Sequence, residues 1–458
     1  ASHVAIGRNS LTLNTTSTGN VAVGAFALDK NTTGGCNAGL GWQALTANTT
    51  GTSNTSVGAL SLLANTTGST NTAVGFCALN ANTTAGDNTA VGKNSLLVNT
   101  TGTLNNAVGS GALMANTTGS NNVALGNDAL RFNTTADNNT AVGYQALFDN
   151  TTGTVNTAMG RQALQNNTTA DGNTAYGHNT LNTATTNGCN TAVGGSVLFN
   201  ATGHSNTGVG HSALSGLTSG NENTGVGRDV MGAAVTGAGN SSLGYFTLNA
   251  LTSGSTNTAV GNGSSPILTT GSNNTTVGAA AGISLTTGSN NLLLGHDAGR
   301  SGSPGGLINT GSNQVVLGDE NITDLFCADT SISSSDQRDK TDIEDFTHGL
   351  NFVTKLNPKT YKWDKRAWYI SENGSPQDFL NATPDGSKKK NKKHIGFMAQ
   401  DILALEKEIG FANDRDDMLI VNQTEDETQY GLKYERLVPI LVNAIKELTA
   451  RIEVLENE

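Results

Sequence analysis

The chain is poor in the residues that build conventional cores. Aromatics make up 5% of its 458 residues and charged residues 13%, with only 6 Pro and 4 Cys. That is too little bulk for large globular cores, so burial has to come from repetition. No stretch approaches the roughly 18 consecutive apolar residues of a membrane span, and membrane insertion is not expected. Positive charge is scarce too: 25 Lys and Arg against 36 Asp and Glu give a formal net charge of -11. Phosphate polymers need clustered Lys and Arg, which disfavours nucleic acid as a partner. The first residues, ASHVAIGRNS, carry neither a signal-peptide core nor an initiator Met, so the sequence reads as part of something longer. The seven His residues show no recurring ligand spacing, and no metal or cofactor is expected.

What the chain has is glycine, 57 residues of it, and a clock. The Gly of NTAVG recurs every 17 residues from Gly7 to Gly194, then, after one step of 16, from Gly210 to Gly295. A fixed period of this kind marks stacked units that bury their apolar sides against one another. In each coil the residue before the clock Gly is apolar, and the residue four after it is Leu in the first thirteen coils, Leu11 to Leu214. Both columns are expected to form core layers of a parallel β-solenoid with strands of about five residues. Asn recurs four before the Gly from Asn20 to Asn291, and in-register stacking would make it an amide ladder. At about 4.8 Å per coil, eighteen coils would make a rod on the order of 85 Å long.

Two further signals have bland explanations. Cys36 and Cys189 fall in one column nine coils apart, beyond disulfide reach; Cys77 lies in another column and Cys327 follows the repeats, so free buried thiols are expected. The many NTT triplets match a glycosylation sequon, but Asn tolerates a left-handed corner and Thr suits the strand after it, so a recurring corner accounts for them. From Ser265 the fourth-position Leu is lost (Ser265, Gly282, Gly299), and the last step lengthens to Gly318, as at a cap or neck. The coils resemble the repeats of phage tail-fibre shafts and of trimeric autotransporter adhesin heads, which implies trimeric association; the adhesin repeat is shorter than 17 residues.

Composition changes abruptly near Thr330. Up to there the chain has 7 Lys and Arg and 13 Asp and Glu; the rest has 18 and 23. HGLNFVTKLNPKTYKW predicts a short helix, a turn and a strand, and HIGFMAQDILALEKEIG a strand running into a helix ended by Gly410. Tyr434, Val438, Leu441, Ile445, Leu448, Ile452 and Leu455 alternate spacings of four and three, the seam of a coiled coil over about 433–458. SKKKNKK, Ser387 to Lys393, sits in a polar, turn-rich stretch and reads as a solvated loop. The expected organisation is a β-solenoid over 1–300, a neck over 301–334, and a small α/β domain over 335–458.

In this order, SSDQRDKTDIEDF, LNPKTYKW, HIGFMAQD and YERLVPILVNAIKELTARIEVLE resemble the intramolecular chaperone auto-processing domain of phage tailspikes and tail fibres, peptidase family S74. The resemblance covers about 125 residues. It implies a domain that trimerises the preceding β-structured fibre and then cuts the chain within an SDxxxK motif, here Ser335, Asp336 and Lys340. A serine hydroxyl needs a base, and a neutral Lys can serve; Lys340 reaches Ser335 only if the chain turns back or another subunit supplies it. Ser335 would then attack an adjoining carbonyl, breaking the Ser335–Asp336 bond, with Asp336 positioning or straining it. This is one turnover of autoproteolysis, with no external substrate. The competing structural reading makes Thr341 or Asp342 the cap of a helix IEDFTHGL.

The sequence therefore reads as mainly β: a parallel β-solenoid in a homotrimeric fibre, then a small α/β chaperone domain ending in a trimeric coiled coil. The expected setting is a virion tail fibre made in the host cytoplasm. It would join the rest of the phage tail and contact a host-surface receptor, a glycan or outer-membrane component. The alternative is a bacterial surface or extracellular trimeric adhesin or filament protein with the same chaperone domain. A polysaccharide-degrading tailspike would need paired carboxylates in a groove, and the repeats' few acids fall in scattered columns.

Overall fold

A computed structural model describes residues 2–322, 337–370, 376–424 and 427–457. The chain divides into two compact units, Ala1–Ala279 and Ala280–Glu458.

The first unit is a parallel β-solenoid. Its strands run from β1 (Val4–Ile6) to β17 (Thr275–Val277), one per coil and three residues each. Successive strands pair in parallel with a shift of one coil, as in Thr140↔Thr157 and Ala141↔Ala158. The 16-residue step keeps register, pairing Thr191 with Thr207. The strands are shorter than the five residues expected because left-handed residues bracket them. In one coil these are Asn138 (φ 60°) before the strand, then Gly143 (φ 133°), Gln145 (φ 54°) and Leu147 (φ 50°) after it. A side chain at the clock Gly is excluded twice over: at Gly24, φ is 133° and a Cβ would lie 2.3 Å from the Gly41 carbonyl oxygen of the next coil.

One of the two expected core columns is inside and the other is not. The Leu column is fully buried from Leu28 to Leu214, although each of these residues has a positive φ. A left-handed L-residue costs about 1–2 kcal/mol and burying a Leu gains about 1.5–3, so burial prevails. The apolar residue before the clock Gly faces outward: Val57 is 37% exposed, Leu125 47% and Tyr176 56%. From β2 to β17 the inward residue of each strand is the small one before it, such as Ala22, Ala73 and Ala141, all at 0%. Size decides this. At Gly39, a Cβ would sit 3.4 Å from Leu28 Cγ of the preceding coil, which leaves room for a methyl group and little more.

The Asn ladder forms as expected. Asn54 donates from its backbone N–H (2.9 Å) and Nδ2 (3.1 Å) to Asn37 Oδ1, and from Nδ2 to the Gly68 carbonyl (2.9 Å). The NTT asparagines make a second ladder instead of occupying a left-handed corner; none from Asn31 to Asn167 is exposed or has a positive φ. Asn65 Nδ2, for example, donates to Asn48 Oδ1 at 2.8 Å. Past Asn167 the column turns apolar, through Ala184, Ala201, Leu217 and Val235 to Leu285, all buried. Ala184 has no amide to donate, and Asn167 Oδ1 accordingly lacks a partner. The cysteines also differ from expectation. Cys36 and Cys189 are exposed at left-handed corners (φ 58° and 61°), and Cys77 is half-buried, its thiol pushed up by burial. Cys327 lies outside the described residues.

The second unit begins with β18 (Leu292–Leu294) and β19 (Val315–Leu317), parallel and 23 residues apart. An α/β assembly follows: α1 (Leu350–Val353), β20 (Lys359–Lys362), α2 (Pro376–Asn381), β21 (Lys393–Gly396), α3 (Ala399–Glu408), β22 (Val421–Gln423), β23 (Tyr430–Leu432) and α4 (Leu437–Glu456). Strands β20–β21 and β22–β23 pair antiparallel. Phe352, Ile402, Ile420, Val421, Leu437 and Ile440 form the core. Among the described residues no helix is long and apolar enough to cross a membrane, and no cluster of three His, Cys, Asp or Glu could hold a metal ion.

Candidate functional site

Two of the three residues expected to carry self-cleavage, Ser335 and Asp336, lie outside the described residues. Lys340 is described and exposed; its N–H closes a short 3-10 turn over Gln337–Asp339 by donating to the Gln337 carbonyl at 3.2 Å. The competing helix IEDFTHGL is not present. Asp342 is left-handed (φ 49°), and α1 starts at Leu350 behind Gly349, with no side-chain cap of its own. A tertiary contact takes the cap's place: Leu350 N–H donates to Glu447 Oε2 of α4 at 3.0 Å. Asn443 of α4 reaches the Phe346 carbonyl at 2.5 Å. The segment downstream of the motif is thus held by the last helix, not by a local turn.

Buried Glu406 of α3 went unnoticed in the sequence. Its carboxylate accepts the N–H groups of Leu419 (3.2 Å), Ile420 and Val421 (3.0 Å), fixing the approach to β22. A carboxylate taken out of water needs such donors.

The lysine with the most altered surroundings is Lys365. Its Nζ lies 5.4 Å from the Trp363 ring centre and 5.9 Å from that of Trp368, and donates to the Glu320 carbonyl at 2.9 Å. Burial pulls its ammonium below the usual lysine range and Lys390 adds to this, while Glu320 and Asp319 oppose it. Lys388 and Lys390 of the SKKKNKK run are exposed and lie over Tyr369 and Trp368, in keeping with a solvated loop.

The same unit joins the α/β residues to the last coils. Gln429 Nε2 donates to the carbonyls of Ser301 (3.3 Å) and Ser303 (3.4 Å), and a Cβ at Gly302 would sit 3.2 Å from that of Ala367. Donors from the C-terminal elements therefore meet carbonyls of the terminal repeat region.

On α4 the packing uses one stripe and leaves another. Leu437, Ile440 and Ala444 are buried in the domain. The seam residues from Val438 to Leu455 are uncovered, Ile445 at 63% and Leu455 at 70%. Tyr434 belongs to a 3-10 turn before the helix, which starts at Leu437 and not near 433; its hydroxyl accepts the Phe397 N–H at 3.0 Å.

No curated protein matches the chain. Residues 335–410 match the model of the Peptidase_S74 family, described as the chaperone of endosialidase. With the parallel β-solenoid that precedes it, this C-terminal match fits a tail fibre or tailspike carrying an S74 chaperone domain.

Proposed function

We propose that the chain is part of a homotrimeric viral tail fibre whose C-terminal domain directs trimer folding and then cuts the Ser335–Asp336 bond, with Ser335 as nucleophile and Lys340 as base. The fibre is made in the host cytoplasm, joins the phage tail in the virion, and adheres to a glycan or outer-membrane component of the host surface.

The observation that carries the trimer is the uncovered seam of α4. Val438, Leu441, Ile445, Leu448, Ile452 and Leu455 are 43–70% exposed in one chain, at the four-and-three spacing that packs parallel helices into one another. The outward apolar column of the solenoid strands is half-buried to exposed, with Leu125 at 47% and Tyr176 at 56%. The domain match at 335–410 supports the cleavage.

The test is intact mass and light scattering on the expressed chain. Wild type should yield a trimer and a 123-residue piece running from Asp336 to Glu458. Ser335→Ala should stay whole and still assemble. Uncut wild type in fully formed trimers would remove the cleavage, and a monomer at micromolar concentration would remove the trimer.

A further inference from the structure

The chain bends at each clock glycine, and the residue after it opens a second column. Ala1–Ala279 contain six Lys and Arg against eight Asp and Glu. Four of those six cations, Arg8, Lys93, Arg161 and Arg228, fall in this column, and none of the eight acids does. Over seven consecutive coils the column reads Tyr144, Arg161, His178, Gly195, His211, Arg228, Tyr245, the same in both directions. All six side chains are exposed. The strands that lead into them pair in unbroken parallel register.

From this arrangement we infer a binding site for a linear acidic polysaccharide bearing carboxylates, laid along the solenoid axis from Tyr144 to Tyr245. The inference rests on the reading of the chain as a glycan-binding fibre and gives that reading a location and a ligand charge.

At about 4.8 Å per coil the tyrosines stand about 29 Å apart, and the histidines about 10 Å. Two cationic groups separated by a notch suit charges spaced along a polymer better than one small anion. The Arg161 guanidinium contacts His178 Nε2 on one side. On the other, His211 and Arg228 follow one another, with Arg228 5.7 Å from the Tyr245 ring centre. Gly195 makes the notch, where even a Cβ would come only within 3.7 Å of His211 Cδ2.

Guanidinium groups bind carboxylates through paired hydrogen bonds. The neighbouring residues Gln162, Asn179, Ser196 and Ser212 offer partners to hydroxyls. Tyr144 and Tyr245, 48% and 47% exposed, present flat faces at the ends. An open depression lined by Asn179, Ser196, Phe199 and Asn200 lies at the same coils. Arg228 also pairs with Asp229 at 3.0 Å, but with the Arg228 side chain 66% exposed the pair contributes little and yields to a ligand carboxylate.

The experiment measures binding of the full chain to polygalacturonate, with neutral dextran and single-stranded oligothymidylate as comparators. Wild type should bind polygalacturonate and neither comparator. The double variant Arg161→Gln/Arg228→Gln should lose at least tenfold in affinity, and Gly195→Glu, which puts a carboxylate in the notch, should abolish binding. Lys30→Gln, in another column, should leave it unchanged. Light scattering and mass on the same samples report trimer and cleavage separately, so loss of binding in an intact trimer is distinct from failure of the fibre reading. No binding by wild type, or equal binding by the double variant, would overturn the site. Oligothymidylate binding as tight as polygalacturonate would show a general polyanion surface and overturn the assignment of ligand.

Discussion

Replacing Asn116 with Ala should open the solenoid locally, by an amount that can be worked from its neighbours. Asn116 Nδ2 donates to Asn99 Oδ1 (2.8 Å) and to the Gly119 carbonyl (2.9 Å), and its Oδ1 accepts from Asn133 Nδ2 (2.8 Å), all fully buried. The Gly119 carbonyl keeps a second donor in Asn105 Nδ2 (2.8 Å), and Asn133 Nδ2 keeps the Ala136 carbonyl (3.0 Å). Two groups then lose a partner inside: Asn99 Oδ1, and one N–H of Asn133. At about 1–3 kcal/mol for each unsatisfied group the cost is about 2–6 kcal/mol, or between one and four decades in the local opening equilibrium.

Asn167→Ala supplies the internal comparison. Its Oδ1 already lacks a partner, so only its donor to Asn150 Oδ1 (2.8 Å) and its bond to the Ala170 carbonyl (3.2 Å) are lost. The Asn116 variant should be the worse of the two by about 1–3 kcal/mol. Amide hydrogen exchange followed by mass spectrometry suits a repeat protein, whose coils open locally and not as one two-state unit. The exposed Thr118→Ala serves as background. Exchange at residues 99–136 within threefold of wild type in the Asn116 variant, or greater loss in the Asn167 variant, would refute the ladder as a source of stability.

Three other outcomes are expected. Ala141→Leu should raise exchange in its own and adjoining coils, by about 1–3 kcal/mol of overpacking, because the slot at Ala141 is fully closed; tolerance of Leu there would mean the inward position is misassigned. Ile445→Asp, at a site 63% exposed, should weaken trimer assembly in light scattering while circular dichroism keeps the domain's signal; an unchanged trimer would dismiss the seam. Lys365 has a folded-state pKa lowered by burial, so below that value both states are protonated and the buried charge costs stability. As pH rises through it toward the unfolded lysine value, the unfolded state holds more protons and the domain gains stability. Thermal melts of wild type and Lys365→Met should therefore converge with rising alkalinity, and parallel melts would contradict the burial.

The period made the fold legible, since Gly, Leu and Asn each hold one column for many coils and a column can only mean stacking. Hydrophobicity misplaced the strand residue before Gly143: Val142 is more apolar than Ala141, but the inward slot abuts a Leu of the preceding coil and admits only a small side chain. The NTT asparagine was readable as a ladder too, because its spacing equals that of the other; turn propensity masked it. The C-terminal elements followed their local patterns. Lys365 was only half legible: Trp363 and Trp368 flank it in the sequence, but the Glu320 carbonyl it donates to lies 45 residues away.

The geometry of a single coil also explains why such a chain would need a folding domain. Its strands have three residues, and most backbone bonds between coils join positions 15 to 18 apart. Closing a loop of that length costs about 2.5 kcal/mol before any bond forms, beyond the ordering of the residues themselves. A coil added to an existing one recovers this by burying its Leu and extending two ladders; the first coil has nothing to bury against. The second unit offers a surface for that step. Gln429 supplies a donor to Ser301 and Ser303, and Lys365 one to Glu320, at carbonyls of the terminal repeat region. A domain that satisfies terminal carbonyls can hold the last coil closed while the next stacks on it. Cutting the chain at Ser335–Asp336 afterwards would separate the fibre from this surface, and refolding would face the unassisted first step. The cut fibre's persistence would then depend on how slowly it unfolds, and not on its equilibrium with the free chain.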